Sequence, residues 1–234
     1  MSDEKKSLWS SVSRLLTHKK PPMTFAEAFD FFDKLPELTG LEANHKRGTC
    51  HIEAEADCHA AENLHHKPFK AWTFKPSPLS IVDGREHRSE LQLMMPDASG
   101  ERAYGFHVAL ALNVQMPDGQ IKPLVFDRGL FDGPVELEDW RREIDGNRYQ
   151  TQIKPYGKVP TEVHGLVGAY IPSDGSRNKL KDSELQSEIA KLKKEPCPHF
   201  QRLPSPLRAA LSELEARPNI PLQTSKPFID FHPH

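Results

Sequence analysis

Between Cys50 and His66 the sequence reads CHIEAEADCHAAENLHH, which crowds two thiols and four imidazoles into one short stretch. Side chains of these types at this density serve either a metal ion or a nucleophile. Structural zinc sites pair their ligands at close, regular spacing, as in Cys-x2-Cys followed by His-x3-His. Cys50 and Cys58 are too far apart for such a knuckle, and the adjacent His65 and His66 diverge on a helix, so no metal is expected. The nucleophilic reading centres on Cys58. Asp57 has the character of an N-cap and CHAAENL that of a helix, which puts Cys58 in a first turn. There, free amides and the helix dipole favour a thiolate and offer donors to an oxyanion. The competing role is that of a small buried apolar residue. Cys50 lies in KRGTCHIEAEA, which reads as extended, and Cys197 stands between prolines in EPCPHF; both are assigned structural or incidental roles. A Cys50–Cys197 disulfide is left open for oxidising conditions.

A cysteine nucleophile needs a base, and GFHVALALNVQM supplies one at strand period. Phe106, Val108, Leu110, Leu112 and Val114 share one face, and His107 shares the other with Ala109 and Ala111. The following PDG suits a type I turn with Gly119 left-handed in a bulge. A three-residue loop then pairs Met116 with Gln120 and, counting outward, Ala109 with Asp127. Opposed residues share a face, so Asp127 lands one diagonal step from His107. The expected arrangement is a triad of Cys58, His107 and Asp127, with the cysteine helix packed against the alanine-lined face.

These groups need elements to hold them. MTFAEAFDFFDKLPEL has a capping-box pair in Thr24 and Glu27, and Phe25, Phe29, Phe32 and Leu35 recur at helical spacing up to Pro36, which ends the run. FKAWTF, ELQLMM, GFHVALALNVQM and IKPLVFD read as strands, and ELEDWRREI as a short helix. DSELQSEIAKLKK aligns Leu185, Ile189 and Leu192 on one face, while Ser205 and Pro206 begin a helix in PLRAALSELEAR. The division expected is a tail over 1–22, a catalytic domain over 23–178 and a helical, Pro-rich extension over 179–234. Within the tail, Leu8, Trp9, Val12, Leu15 and Leu16 allow a short amphipathic turn. Trp72, Trp140 and His164 are candidates for cleft or core, and Trp140 is assigned to the core.

With 234 residues, 37% hydrophobic and 27% charged, the chain has the balance of a globular protein, which excludes a wholly disordered one. A formal charge of −2 gives no bias towards nucleic acid or an acidic membrane, and no apolar run is long enough to span a bilayer. Three cysteines do not make a disulfide scaffold. The N-terminal stretch lacks the continuous apolar centre of a signal peptide, so synthesis in a cytoplasm without a Sec signal is expected.

The block YGFHVALALNVQMPDGQIKPLVFDRGLFDGPVELEDWRREI resembles the core of the bacterial protein glutaminases, or protein-glutamine deamidases. A histidine strand, a hairpin, an aspartate followed by LF, then GPV and a tryptophan helix occur in this order. ADCHAAENL resembles their nucleophile helix and FKAWTF the strand after it, so the similarity spans roughly Phe25 to Tyr170. The resemblance implies an α+β fold of the papain and transglutaminase type, with a nucleophile helix packed on an antiparallel sheet. It implies Cys58 as nucleophile, His107 as general base and acid, Asp127 as the orienting residue, and no cofactor. The substrate implied is a protein with an accessible glutamine. The rivals are a transglutaminase or cysteine protease using the same triad, and a non-catalytic binding module on this fold. Characterised members are secreted and disulfide-bonded, which this chain does not match. The expected setting is an effector or toxin delivered to another cell by a specialised secretion system, partnered by an immunity or inhibitor protein.

Overall fold

In the computed structural model the described residues are 21–42, 49–74, 80–82, 85–87, 93–97, 100–104, 106–145, 150–160, 179–194 and 202–216. Cys197, His164 and the amphipathic turn from Leu8 to Leu16 lie outside them. The first helix, α1 (Phe25–Thr39), follows a two-residue strand, β1 (Met23–Thr24). Its capping box closes as expected: Thr24 N donates to Glu27 Oε2 at 2.8 Å and Glu27 N to Thr24 Oγ1 at 3.3 Å. Pro36 does not end the helix, as expected from sequence, but lies inside it. A proline forfeits one intrahelical bond. Here the last turn is held instead by Thr39 Oγ1, which donates to Leu35 O at 2.7 Å, and the helix stops at Gly40, whose φ of 66° needs a residue without a Cβ.

The second helix, α2, runs Cys50–Asn63 and so starts seven residues before the expected N-cap at Asp57. The stretch CHIEAEA alternates polar and apolar residues as a strand does. Alanine and glutamate are nevertheless strong helix formers, and Ile52, Ala54, Ala56, Ala60 and Ala61 are all buried in the helical arrangement.

The main sheet has the order β10-β2-β7-β8-β9, built from β2 (Phe69–Phe74), β7 (Phe106–Gln115), β8 (Ile121–Phe126), β9 (Val135–Glu136) and β10 (Gln150–Pro155), all pairing antiparallel. β1 lies parallel to the end of β7. Two further ladders stand apart, β3 (Ser80–Val82) with β4 (Arg85–His87) and β5 (Leu93–Asp97) with β6 (Gly100–Tyr104). One face of the main sheet, through Leu110, Leu112, Val114, Leu124 and Phe126, packs against α1 and α2. The other, through Ala71, Ala109, Ala111 and Val125, packs against α3 (Leu137–Asp145) by way of Trp140 and Ile144. The alanine face therefore receives α3 and not the cysteine helix: side chains no larger than methyl leave room for a buried tryptophan. The fold is α+β, with a cysteine-bearing helix laid on an antiparallel sheet.

Two later helices pack on this body. Leu185 and Ile189 of α4 (Asp182–Leu192) are buried with Leu41 and with Ile52 and Ala56 of α2. α5 (Pro206–Ala216) starts after Ser205, whose Oγ accepts from Leu207 N at 3.2 Å, and rests Leu207 and Leu211 on the cluster around α1.

Candidate active site

The hairpin sets the site. β7 and β8 pair in the register Gln115↔Ile121 through Leu110↔Phe126, which continued by one step puts Asp127 opposite Ala109. The turn is the expected one: Met116 N donates to Gln120 O at 2.7 Å and Gly119 has φ 83°. Asp127 thus reaches His107 diagonally, and Oδ2 accepts from His107 Nε2 at 2.6 Å. The same oxygen accepts from Trp140 Nε1 at 2.8 Å, and Oδ1 accepts from Leu130 N at 3.3 Å. The Trp140 ring lies 5.8 Å from the imidazole, so the core residue expected from sequence is at once a partner of the carboxylate. With the proton on Nε2 fixed by Asp127, Nδ1 is left to act as the second functional nitrogen.

Structure and sequence reading part over the cysteine beside this ring. Cys58 does not occupy a first turn but sits two turns into α2, fully buried, where its thiol donates to Phe69 O at 3.7 Å. It belongs to the cluster of Leu110, Leu112 and the α1 phenylalanines. Burial pushes its pKa well up, with Lys70 opposing and the carboxylates of Glu55, Asp57 and Glu62 adding. Cys50, expected in an extended strand, is instead the first residue of α2 and packs with Ala54, Trp72, Phe74 and Val108. Its side chain lies close enough to His107 to bear on the protonation of the ring. Nδ1 is buried and has no hydrogen-bond partner among the described residues. Burial alone would lower the His107 pKa. The charge and hydrogen bond of Asp127, and after them Cys50, outweigh burial and raise it to about 10. The structure thus joins His107 to Asp127, brings Cys50 near them, and packs Cys58 in the cluster with α1.

Thr49 makes no side-chain cap bond to the helix, and its carbonyl takes the N–H groups of Ile52 and Glu53 at 2.9 and 3.1 Å. The indole Nε1 of Trp72 is buried in the Cys50 cluster without a partner.

Buried charges lock the helix in place. Arg128, next to Asp127, donates to Asp57 through NH2 at 2.8 Å and Nε at 3.3 Å, and to Leu41 O at 2.7 Å. Burial pushes the Asp57 carboxyl up, and the Arg128 guanidinium opposes it. Glu53, one turn from Cys50, accepts from Thr49 Oγ1 at 3.2 Å. Burial raises its carboxyl to about 7; Arg128 opposes this, and the charges of Asp57 and Asp127 add to it. On the far side of α2, Glu55 takes Lys70 in a buried ion pair, and its Oε1 accepts from Tyr156 Oη and Leu180 N at 2.8 Å each. His59 bridges to Asp182 at 3.1 Å. Among the described residues no three histidines, cysteines or carboxylates gather as metal ligands would.

Three site residues escaped the sequence reading. Cys50 was given up because CHIEAEA alternates, although Gly48 and Thr49 before it are helix-start residues. Trp140 was placed in the core and in the tryptophan helix of the resemblance, but its bond to Asp127 was not foreseen. Arg128 followed Asp127 directly, but a strand-end arginine ordinarily faces solvent.

The sequence pattern of a family described as glutaminase matches residues 28–144. The NMR structure of protein-glutaminase from Chryseobacterium proteolyticum superimposes with a TM-score of 0.51 at 15% identity, covering 76% of this chain and 95% of that one. A crystal structure of protein-glutaminase aligns over 78% of this chain and 94% of that chain at 14% identity, with a TM-score of 0.49. The first of these likenesses establishes a shared fold. No curated protein matches the sequence.

Proposed function

The chain belongs to the glutaminase family, matched over residues 28–144, and on that premise we propose that it deamidates glutamine side chains of proteins through a triad of Cys50, His107 and Asp127. The observation that supports this reading is a single imidazole bound to Asp127 through Nε2, with Nδ1 buried and unpartnered among the described residues and Cys50 close enough to act on the charge of the ring. His107 takes the thiol proton, and the sulfur lone pair adds to the glutamine amide carbon while the carbonyl electron pair moves to oxygen. The start of α2 stabilises that oxyanion: the amide of Cys50 is one donor, and the indole N–H of Trp72 is available as a side-chain donor. Collapse of the adduct re-forms the carbonyl and expels ammonia, which leaves with the proton from His107. Water then adds to the thioester with His107 as base, releasing glutamate and restoring the thiol. Asp127 holds the Nε2–H tautomer and the imidazolium throughout.

The decisive comparison is Cys50→Ser against Cys58→Ser, with ammonia release and Gln-to-Glu conversion in a protein substrate read by mass spectrometry. Cys50→Ser is expected to lose activity by at least about a thousandfold. Cys58→Ser is expected to keep it within a few-fold, with the Cys50 thiol alkylating before Cys58. Activity lost in Cys58→Ser alone would return the nucleophile to that residue. New chain termini, or incorporation of an amine in place of water, would sink deamidation in favour of a protease or a transglutaminase. We further propose an effector or toxin setting, in which a reducing target cytoplasm suits the free thiols Cys50 and Cys58. In that setting an inhibitor protein covers the cleft in the producing cell. The same two variants test it: growth arrest on cytoplasmic expression should follow Cys50 and be indifferent to Cys58.

A further inference from the structure

The loop that presents Asp127 is held from outside by residues far along the chain. Leu203 N donates to Leu130 O at 2.7 Å and Asp132 N donates to Leu203 O at 3.0 Å, so Leu203 pairs with Phe131 as an isolated parallel bridge. Two residues on, Ser205 N donates to Asp132 Oδ1 at 2.7 Å and Ser205 Oγ donates to Pro134 O at 2.6 Å. Arg208 adds a bond to Asp132 O. The contact is tight. A Cβ on Gly133 would fall 2.7 Å from the Phe29 ring and 3.1 Å from Ser205 Cβ, so only glycine lets loop, α1 and Ser205 approach this closely. Inside the loop, Leu130 N donates to Asp127 O at 3.1 Å and reaches Asp127 Oδ1 at 3.3 Å, and Phe131 N donates to Asp127 O at 2.9 Å. Leu130 therefore gives its N–H to the aspartate and its carbonyl to Leu203. A continuous run of hydrogen bonds joins Leu203, Leu130, Asp127 and His107.

We propose that the segment from Leu203 to Ser205 is a positioning element of the active site, fixing the turn that aims Asp127 at His107. These residues lie beyond 28–144, the span matched by the family. The inference rests on the triad reading for its catalytic meaning. Neither residue touches a reacting atom. Their effect passes through the carboxylate: a turn released on its outer side lets Asp127 drift from the imidazole, weakening the bond that holds the tautomer and the charge.

The experiment uses the full chain with Ser205→Ala and, as the conservative partner, Ser205→Thr. The primary readout is the pH at which the His107 ring titrates, followed by NMR of the imidazole, because this does not require turnover. Ser205→Ala is expected to lower that pH by on the order of 1 unit, and Ser205→Thr to restore it. In ammonia-release assays Ser205→Ala should lower kcat between about tenfold and a hundredfold at nearly constant KM. A merely structural serine would lower Tm while leaving both the His107 titration and kcat in place, and that result would overturn the proposal. Failure of the deamidase reading is visible separately, as wild-type protein that releases no ammonia whatever its His107 titration does.

Discussion

Asp127 accepts from His107 Nε2, Trp140 Nε1 and the Leu130 amide at once, so its charge is spent on holding other groups and not on solvent. Its largest effect is on His107, whose pKa of about 10 keeps the imidazolium present well into alkaline pH. The imidazolium must hold its proton until ammonia leaves, so activity is lost as pH rises through the His107 pKa. Replacing Asp127 with Asn deletes the charge, lets burial pull the pKa down, and should bring the alkaline loss to lower pH together with a large fall in kcat. A pH–rate profile checks both; an alkaline limb unmoved in the variant would mean that Asp127 does not set the charge on His107. At this scale the sequence was legible where geometry follows from period two. His107 and Asp127 share a face because strand alternation and a Pro-Asp-Gly turn leave little choice of register. The choice between Cys50 and Cys58 was not legible, since it depends on where α2 starts. Gly48 and Thr49 mark that start by residue type, but the polar–apolar alternation of CHIEAEA points to a strand instead.

The helix α2 and the hairpin come from distant parts of the chain, and the Asp57–Arg128 pair adds a buried ionic tie to their apolar packing. Both groups are almost wholly buried, so each is tolerable only because of its partner. Arg128→Met strands the Asp57 carboxyl in the interior, with an expected loss of about 3–5 kcal/mol in urea unfolding at neutral pH. Asp57→Leu in the same background should recover much of it, since two apolar side chains bury no charge. If the double variant is no more stable than Arg128→Met, the loss comes from packing and not from the orphaned carboxylate. Most elements were legible from period and punctuation, including α1, β2, β7, β8, α3, α4 and α5. β10 was not: QTQIKP has no alternation of apolar residues, because this edge strand is only partly buried along its length. Pro36 misled in the opposite direction, as tertiary burial of Leu35 and the Thr39 bond carry α1 through a residue that usually stops a helix.

At the scale of the whole molecule, ionisation and stability are coupled through the site. Glu53, raised to about 7, keeps a proton in the folded chain that the unfolded chain gives up near 4.5. His107, raised to about 10 from 6.5, does the same in the next window. In each window the native state binds more protons than the unfolded one, so both contributions fade as pH rises, first between 4.5 and 7 and then between 6.5 and 10. Tm is therefore expected to fall steadily from mildly acidic to alkaline pH, as calorimetry would show. A maximum on the alkaline side would contradict the assignment of these two groups. The apolar face of α4 was legible after 179, but the polar attachments were not, because Leu180 N on Glu55 and Ser205 on Asp132 join segments remote in sequence. Cys58 has one consequence of a different kind. Its thiol is fully enclosed between α2, α1 and the sheet, two turns from a cysteine that opens the same helix. With the other two cysteines replaced, it becomes a chemical clock: a thiol reagent can reach it only when the helix lifts from the sheet, so the labelling rate counts how often the scaffold beneath the site opens.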